Sequence, residues 1–341
     1  MKKYDVVIVG AGPGGLRCAE ILGQSKKKVL LVDRKKVIGP KVCAGGITNS
    51  NIQHFVLPPS ILDHSYNKIK VYVGSKFKYL EQKEPFVHTV DRKNLGQYQL
   101  SRLDKKYVTV MKNTIISGIF ENYVQSSSGE KYYFDYLVGA DGSNSIVRKH
   151  LGLNTEKFAL AIQYIIKTSK FKEFEMFADA KRFSSGYAWI FPHTDYVSIG
   201  TGCDPKTFSI KKLKNNFHEW LDMKKIDYSK GEYQAHTINY DYKGTDFGNK
   251  FLIGDAAGLA SGLTGEGIQQ AIISAEEIAN KIINPKHKYS LIEKLLKQKK
   301  SHNLTLKILQ SNYLARWFWL KVFILFLGNR KFNKKVIKMF V

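Results

Sequence analysis

Six residues near the start of the chain, Gly10-Ala11-Gly12-Pro13-Gly14-Gly15, have the types and spacing to cradle a phosphate. Gly10, Gly12 and Gly15 fit the pattern G-x-G-x-x-G. The first glycine makes a tight turn, the second lets a pyrophosphate approach the backbone, and the third lets a helix pack closely on a strand. A helix starting here offers free N–H groups and the positive end of its dipole to the phosphates, and Gly14 belongs to the same cradle. Asp33, eighteen residues after Gly15, stands where an acid accepts hydrogen bonds from a ribose hydroxyl, with Arg34 beside it. Together these residues predict a dinucleotide site.

Two further turns repeat the theme. "GADGSNSIVR" (139–148) and "FLIGDAAG" (251–258) each follow an apolar run and place an acid, Asp141 or Asp255, at a turn of small residues. For each acid, capping a helix N-terminus is the structural alternative to touching a ligand. "TGEGI" (264–268) opens another helix with Gly265, Gly267 and Ile268, and "VDRKNL" supplies Arg92. A different chemistry shows in "GYAWIFPHTDYVSIGTG" (186–202). Tyr187, Trp189 and Phe191 alternate, Pro192 ends the run, and Gly200 and Gly202 follow. Alternate residues of a strand share one face, so the rings form either an ordinary core strand or a smooth wall for a long apolar ligand.

These residues need a scaffold. "YDVVIVG" and "KKVLLVD" are continuous apolar runs, as buried parallel strands should be, with a helical pattern between them. "NKIKVYVGSKFKYLEQ" alternates on both sides of Gly74-Ser75, a hairpin pattern. With the strands near 158–202, it predicts an antiparallel sheet inserted between pieces of an α/β domain. Past Pro285 the chain reads as helices.

The charge is uneven. Of a net +25, the segment 281–341 carries +14, from 15 Lys and Arg against the single acid Glu293. The same segment holds "YLARWFWLKVFILFLGNRKFNKKVIKMF". Basic, aromatic and aliphatic residues together suit a membrane surface better than nucleic acid, and no nucleic-acid motif accompanies them. A helical cap over the inserted sheet is the alternative. No run reaches the roughly 18 uncharged apolar residues of a membrane span. Three cysteines, Cys18, Cys43 and Cys203, without CxxC spacing, predict a reducing, cytoplasmic setting. No Ser/His/Asp set or metal-ligand spacing stands out; His88, His193 and His236 are possible proton donors.

The N-terminal fingerprint with the two Asp turns resembles flavoprotein oxidoreductases with the para-hydroxybenzoate hydroxylase type of fold. Within that group Tyr187-x-Trp189-x-Phe191-Pro192, then Gly200-x-Gly202, resembles the geranylgeranyl reductase family. "KVCAGGI" (41–47) and "GDAAGLASGLTGEGI" (254–268) resemble its cysteine loop and its Gly-Asp segment. The resemblance covers most of residues 1 to 285. It implies FAD, held by Gly10, Gly12, Gly14, Gly15, Asp33, Arg34, Cys43, Ala44, Arg92, Asp141, Gly254, Asp255, Gly265, Gly267 and Ile268. Tyr187, Trp189, Phe191, Pro192, Gly200 and Gly202 would then hold a polyprenyl chain, with Cys43 a candidate catalytic group beside the flavin. Many relatives have proline where Gly262 stands, so Gly258 and Gly262 predict a more mobile loop.

The expected fold is therefore α/β, with a Rossmann-type FAD domain (1–60, 86–155, 240–284), an inserted β-sheet substrate domain (61–85, 156–239) and a C-terminal helical region (285–341). The expected reaction is saturation of isolated C=C bonds of a lipid, quinone or prenyl diphosphate, with electrons from NADPH or a ferredoxin-type donor. A flavin monooxygenase or halogenase is the alternative, and a non-catalytic lipid-binding flavoprotein a further one. The tail would place the protein peripherally on the inner face of a membrane.

Overall fold

The computed structural model describes residues 2–340, leaving aside the side chains of residues 51, 53 and 338–340. Lys2–Val9 lies at the heart of the first sheet. It pairs in parallel with Val29–Val32 on one side and Lys131–Gly139 on the other. Val108–Met111 and Lys250–Leu252 extend the parallel set outward. Period-two alternation sends Val6 and Ile8 to one face and Val7 and Val9 to the other, so both faces bury apolar side chains. The helices Pro13–Gln24 and Ile268–Ile283 cover the first face through Leu16, Ala19, Leu22, Ala275, Ile278 and Ala279. Fully burying each Val, Ile or Leu contributes about 1.5–3 kcal/mol, which fixes the strand ends where the glycine turns emerge.

The second sheet has seven strands, in the order 232–239, 158–167, 196–203, 188–192, 174–178, 68–73, 76–81. The hairpin around Gly74-Ser75 forms, with Val73 opposite Lys76. One pairing departs from the expected antiparallel sheet: Lys68–Val73 runs parallel to Phe174–Ala178. No tight turn joins these strands; nearly a hundred residues separate them and pass through the first sheet, so loop geometry does not dictate their direction. On one face of this sheet, the helix Ile210–Met223 packs Leu213, Phe217, Trp220 and Leu221 against Ile162, Ile190, Val197 and Ile199. On the other, Trp189 and Phe191 lie with Ile69, Val71 and Phe174.

A small antiparallel sheet of Gly46–Thr48, Val87–Thr89 and His64–Tyr66 ties the two layers together. Three helices end the chain: Ser290–Ser311, Tyr313–Phe326 and Arg330–Phe340. Ile324, Leu327, Val336 and Ile337 from the last two pack onto the face of the second sheet that carries Trp189 and Phe191. Among the described residues, no helix is long and apolar enough to cross a membrane. The fold is a Rossmann-like α/β domain with an inserted β-sheet domain and C-terminal helices.

Candidate active site

A cavity of about 490 Å³ opens between the two sheets. One wall is built of turns at the ends of the first sheet's strands. Gly10 has φ +105°, and a Cβ there would sit 2.4 Å from the carbonyl oxygen of Ala140. A Cβ on Gly15 would lie 1.9 Å from the carbonyl oxygen of Gly10, so this glycine permits helix and strand to meet and does not line the cavity. Gly14 faces the cavity and packs on Ala271 of the neighbouring helix. Gly12 is different: a Cβ there would meet nothing closer than 4.0 Å. That open approach, at a helix start whose N–H groups no side chain caps, fits a pyrophosphate.

Asp33 braces the same loop. Its Oδ2 accepts the Ala11 N–H at 2.7 Å and its Oδ1 the Lys35 N–H at 2.8 Å; each oxygen keeps a further lone pair for a ribose hydroxyl. Arg34 lines the cavity beside it. Arg92 is buried against the cavity with Nε unpartnered, and half-buried Asp141 lines it with a buried, unpartnered Oδ1. Both orphans fit a polar ligand. The other oxygen of Asp141 accepts the Ile146 N–H at 2.7 Å, so the acid does cap a helix as well. Burial lifts its carboxyl above the usual range.

Asp255 follows Gly254, which has φ +54°. Its Oδ2 receives the Lys41 ammonium at 3.1 Å and the Ser143 hydroxyl at 3.2 Å. Burial, the largest single influence, would raise this carboxyl, but Lys41, His236 and the Ser143 hydroxyl together outweigh it and hold the group below the ordinary aspartate range. A Cβ on Gly267 would come within 2.9 Å of Asp255 Oδ1, whereas Gly265 meets only Ile238 and the Tyr187 hydroxyl at 3.9 Å. Ile268 starts the next helix on the cavity surface.

The opposite wall is aromatic. Tyr187, Trp189 and Phe191 all line the cavity. The Tyr187 hydroxyl donates to the Thr264 carbonyl at 2.6 Å, joining this wall to the "TGEGI" turn. Trp189 Nε1–H donates to Ser198 Oγ at 3.0 Å; Ser198 in turn donates to Gln163 Oε1, and Gln163 Nε2 to the Cys43 carbonyl at 3.4 Å. Phe191 stacks on Phe174 at 3.8 Å between centroids. Pro192 and Gly200 do not line the cavity. The Pro192 carbonyl takes the Thr89 hydroxyl at 2.8 Å, and Gly200 makes room for the indole, since a Cβ would lie 2.3 Å from Trp189 Cζ2. Gly202 lies on the cavity edge.

Cys43 and Ala44 line the cavity between the walls. Cys43 Sγ accepts the Gly45 N–H at 3.4 Å. The other two thiols are buried, and burial pushes each up to about 12. Of the three histidines, only His236 lines the cavity. Burial, followed by nearby Lys41, lowers it to about 4, so it is neutral near pH 7 and a poor acid. His193 instead bonds Asp63 and the Ala44 carbonyl, fixing the cysteine loop. The loop around Gly262 is not free: Lys299 donates to the Ala260 carbonyl at 2.7 Å, His302 bonds Ser261, and Gly262 packs under Tyr240 and Leu306. The helix Ser290–Ser311 thus supplies the restraint that a proline would give.

Two residues escaped the sequence reading. Lys41 stands in the quoted "KVCAGGI", and a lone cation beside a glycine loop was the available signal. Glu266 stands inside "TGEGI" and faces the cavity. The Thr264 hydroxyl donates to its Oε2 at 3.2 Å, and burial raises its carboxyl to about 7.

The chain matches the family model described as pyridine nucleotide-disulphide oxidoreductase over residues 4–186, and the one described as FAD binding domain over residues 116–288. It belongs to the FAD-binding flavoprotein oxidoreductases. This flavoprotein is 29% identical over 315 residues to the chloroplastic geranylgeranyl diphosphate reductase of Oryza sativa subsp. japonica, covering 83% of this chain and 67% of the relative. Its fold matches a geranylgeranyl bacteriochlorophyll reductase-like protein of Thermoplasma acidophilum with TM-score 0.82 and 18% identity, over 97% and 92% of the two chains. A p-nitrophenol 4-monooxygenase of Pseudomonas putida also shares it, with TM-score 0.75 and 16% identity, over 100% and 98%. At such identities these two structures speak for the fold of the flavoprotein alone.

Proposed function

We propose that this flavoprotein saturates isolated C=C bonds of a polyprenyl chain. The aromatic wall carries this reading. Tyr187, Trp189, Phe191 and Phe174, continued by Ile69 and Met176, give one uncharged surface in the same cavity as the flavin-binding turns. Such a wall suits a ligand with no functional group to grip, since each buried CH₂ contributes about 0.8 kcal/mol. The reductase name of the rice relative supports the same reading.

FAD, once reduced, supplies hydride to one carbon of the alkene. The chain's own residues do the rest. Gly12 and the uncapped helix start would hold the pyrophosphate, with Arg92 and Asp33 available on either side. The N–H groups of Gly267 and Ile268, at the start of the helix Ile268–Ile283, would face the negative charge of the reduced ring. The ring wall holds the alkene in position and excludes water. Cys43, which lines the cavity between the walls, would lie beside the flavin. Electrons come from NADPH or a small ferredoxin-type donor, which the basic surface would attract.

The tail brings the protein to its lipid. Trp317 and Phe318 are 47% and 54% exposed on the helix Tyr313–Phe326, while Ile324 on the same helix packs toward the ring wall. Lys321 lies over the Trp317 ring, and Arg330, Lys331, Lys334 and Lys335 follow on the helix Arg330–Phe340, each contributing about 1 kcal/mol near an anionic leaflet.

The test is anaerobic. Holoenzyme reduced with dithionite is mixed with geranylgeranyl diphosphate in detergent, and flavin absorbance and product masses are followed. Reoxidation with two hydrogens gained per bond supports the reductase. Reoxidation only on admitting oxygen, with a hydroxylated product, replaces it with a flavin monooxygenase reading.

A further inference from the structure

The cavity contains two acids of opposite condition. Asp255 has a cation and a hydroxyl on one oxygen, and its carboxyl is held low. Glu266 sits eleven residues later on the same run of turns, half-buried and open to the cavity. Among the described residues, no cationic side chain pairs with it. Its one side-chain partner is the Thr264 hydroxyl, which also accepts the Glu266 N–H at 3.3 Å and is therefore oriented. The Thr264 carbonyl is held by Tyr187, the first ring of the aromatic wall. The Thr264 hydroxyl thus positions the carboxyl, in a turn that Tyr187 ties to the end of the ring wall. Environments that push two carboxyls apart in this way separate an acid from an anion.

We infer that Glu266 is the general acid of the reaction, delivering a proton to the alkene carbon opposite the one that receives hydride. The inference rests on the alkene-reductase reading. The π bond breaks and two C–H bonds form. One takes the electron pair that leaves the reduced flavin, and the other takes the proton of the Glu266 carboxyl. The flavin is oxidised by two electrons, and the resulting carboxylate is reprotonated from water. An isolated alkene has no carbonyl to polarise, so a positioned acid within reach of the second alkene carbon is the group the step requires.

Burial, partly offset by the Thr264 hydroxyl, raises the Glu266 carboxyl to about 7. The start of the helix Ile268–Ile283 favours the anion, and burial outweighs it. The other titratable groups around this turn are Tyr187, whose phenol burial holds above its usual range, Asp255 with Lys41, His236, which is neutral, Cys43 on the facing loop, and Lys299 and His302, which bond Ala260 and Ser261 from the helix Ser290–Ser311. Below about pH 7 the acid form of Glu266 predominates, and above it the proton is lost.

The experiment compares wild-type holoenzyme with Glu266→Gln and Glu266→Asp. Flavin content and melting temperature verify that the variants fold. In single-turnover reoxidation by geranylgeranyl diphosphate, the wild-type rate should fall as pH rises through about 7. Glu266→Gln should lose at least roughly a hundredfold and that pH dependence, with Glu266→Asp between. Infrared titration of the oxidised holoenzyme should show a protonated carboxyl that disappears near pH 7 and is missing in Glu266→Gln. A Gln variant with wild-type rate and profile overturns the assignment alone and leaves the reductase standing. A Glu266 band already ionised at pH 5 overturns it independently of turnover. If wild type never reoxidises with the prenyl substrate, the reductase reading fails and the assignment falls with it.

Discussion

The two walls of the cavity are made in opposite ways. The flavin-side wall is mostly backbone: glycines at strand ends, helix starts, and a few charged side chains, several with a partner of their own. The facing wall is mostly side chain: three rings in register, backed by Phe174. The first wall recognises charge and shape at fixed points. The second recognises only apolar area. A substitution should therefore act on the first wall through single close contacts, and on the second through buried volume.

The sharpest way to break this contrast uses two glycines of one loop. In Gly15→Ala the new methyl would press on the Gly10 carbonyl at 1.9 Å. We expect a loss of more than about 4 kcal/mol, or no folded protein, by urea denaturation. Gly12→Ala meets nothing within 4.0 Å, so stability should stay within about 0.5 kcal/mol of wild type. Its cost should appear in FAD affinity, by roughly tenfold or more in a calorimetric titration, equivalent to about 1.4 kcal/mol. Equal stability losses in the two variants would remove the distinction between a packing glycine and a binding glycine.

On the ring wall the effect should scale with volume. Trp189→Ala empties a buried site and leaves Ser198 without its donor, and should cost about 3–4 kcal/mol. Gly200→Ala, which pushes on the indole at 2.3 Å, should cost about 1–3 kcal/mol by overpacking. FAD affinity should be nearly unchanged in both. A large loss of flavin affinity in Gly200→Ala would mean that the walls do not act separately.

Lys41→Met tests the charged side of the contrast. Asp255 has its carboxyl held below its unfolded value, so its contribution is present above the ordinary aspartate range and lost as pH falls through the depressed value. Without Lys41 that contribution should vanish near neutral pH. Because the Lys41 side chain is about a third exposed (31%), water screens the pair, and a loss of about 1–2 kcal/mol is expected rather than the 3–5 kcal/mol of a fully buried pair. Unfolding free energies at pH 7 and pH 3 decide this: the difference between wild type and variant should shrink at the lower pH.

The sequence told these walls apart unequally. The glycine loop, the Asp turns and the alternating rings were legible because each depends on local rules: turn conformation, helix starts and period-two alternation. What escaped depends on which distant segments meet. The parallel pairing of Lys68–Val73 with Phe174–Ala178 obeys no local signal. Nor does the sequence show that Lys299 and His302 clamp the loop around Gly262, since no motif marks that helix. Glu266 lies within a quoted motif, yet its ionisation is set by burial and by the absence of a cationic partner, neither of which spacing encodes. Pro192 and Gly200 belong to the ring pattern but act behind the wall.

The tail gives the smallest expected effect on stability and the clearest separation of packing from binding. The helix Tyr313–Phe326 buries Ile324 against the second sheet and leaves Trp317 and Phe318 largely exposed. Trp317→Ser/Phe318→Ser should therefore shift unfolding by no more than about 0.5 kcal/mol per site. If the exposed rings insert between lipid headgroups, the same variant should float poorly with vesicles containing anionic lipid, and high salt should weaken flotation of the wild type by screening the surrounding lysines. Turnover of a detergent-dispersed prenyl substrate should be unaffected, because neither ring lines the cavity. Flotation equal to wild type would make the tail a packing element only, sharing the ring face of the second sheet through Ile324 and Leu327.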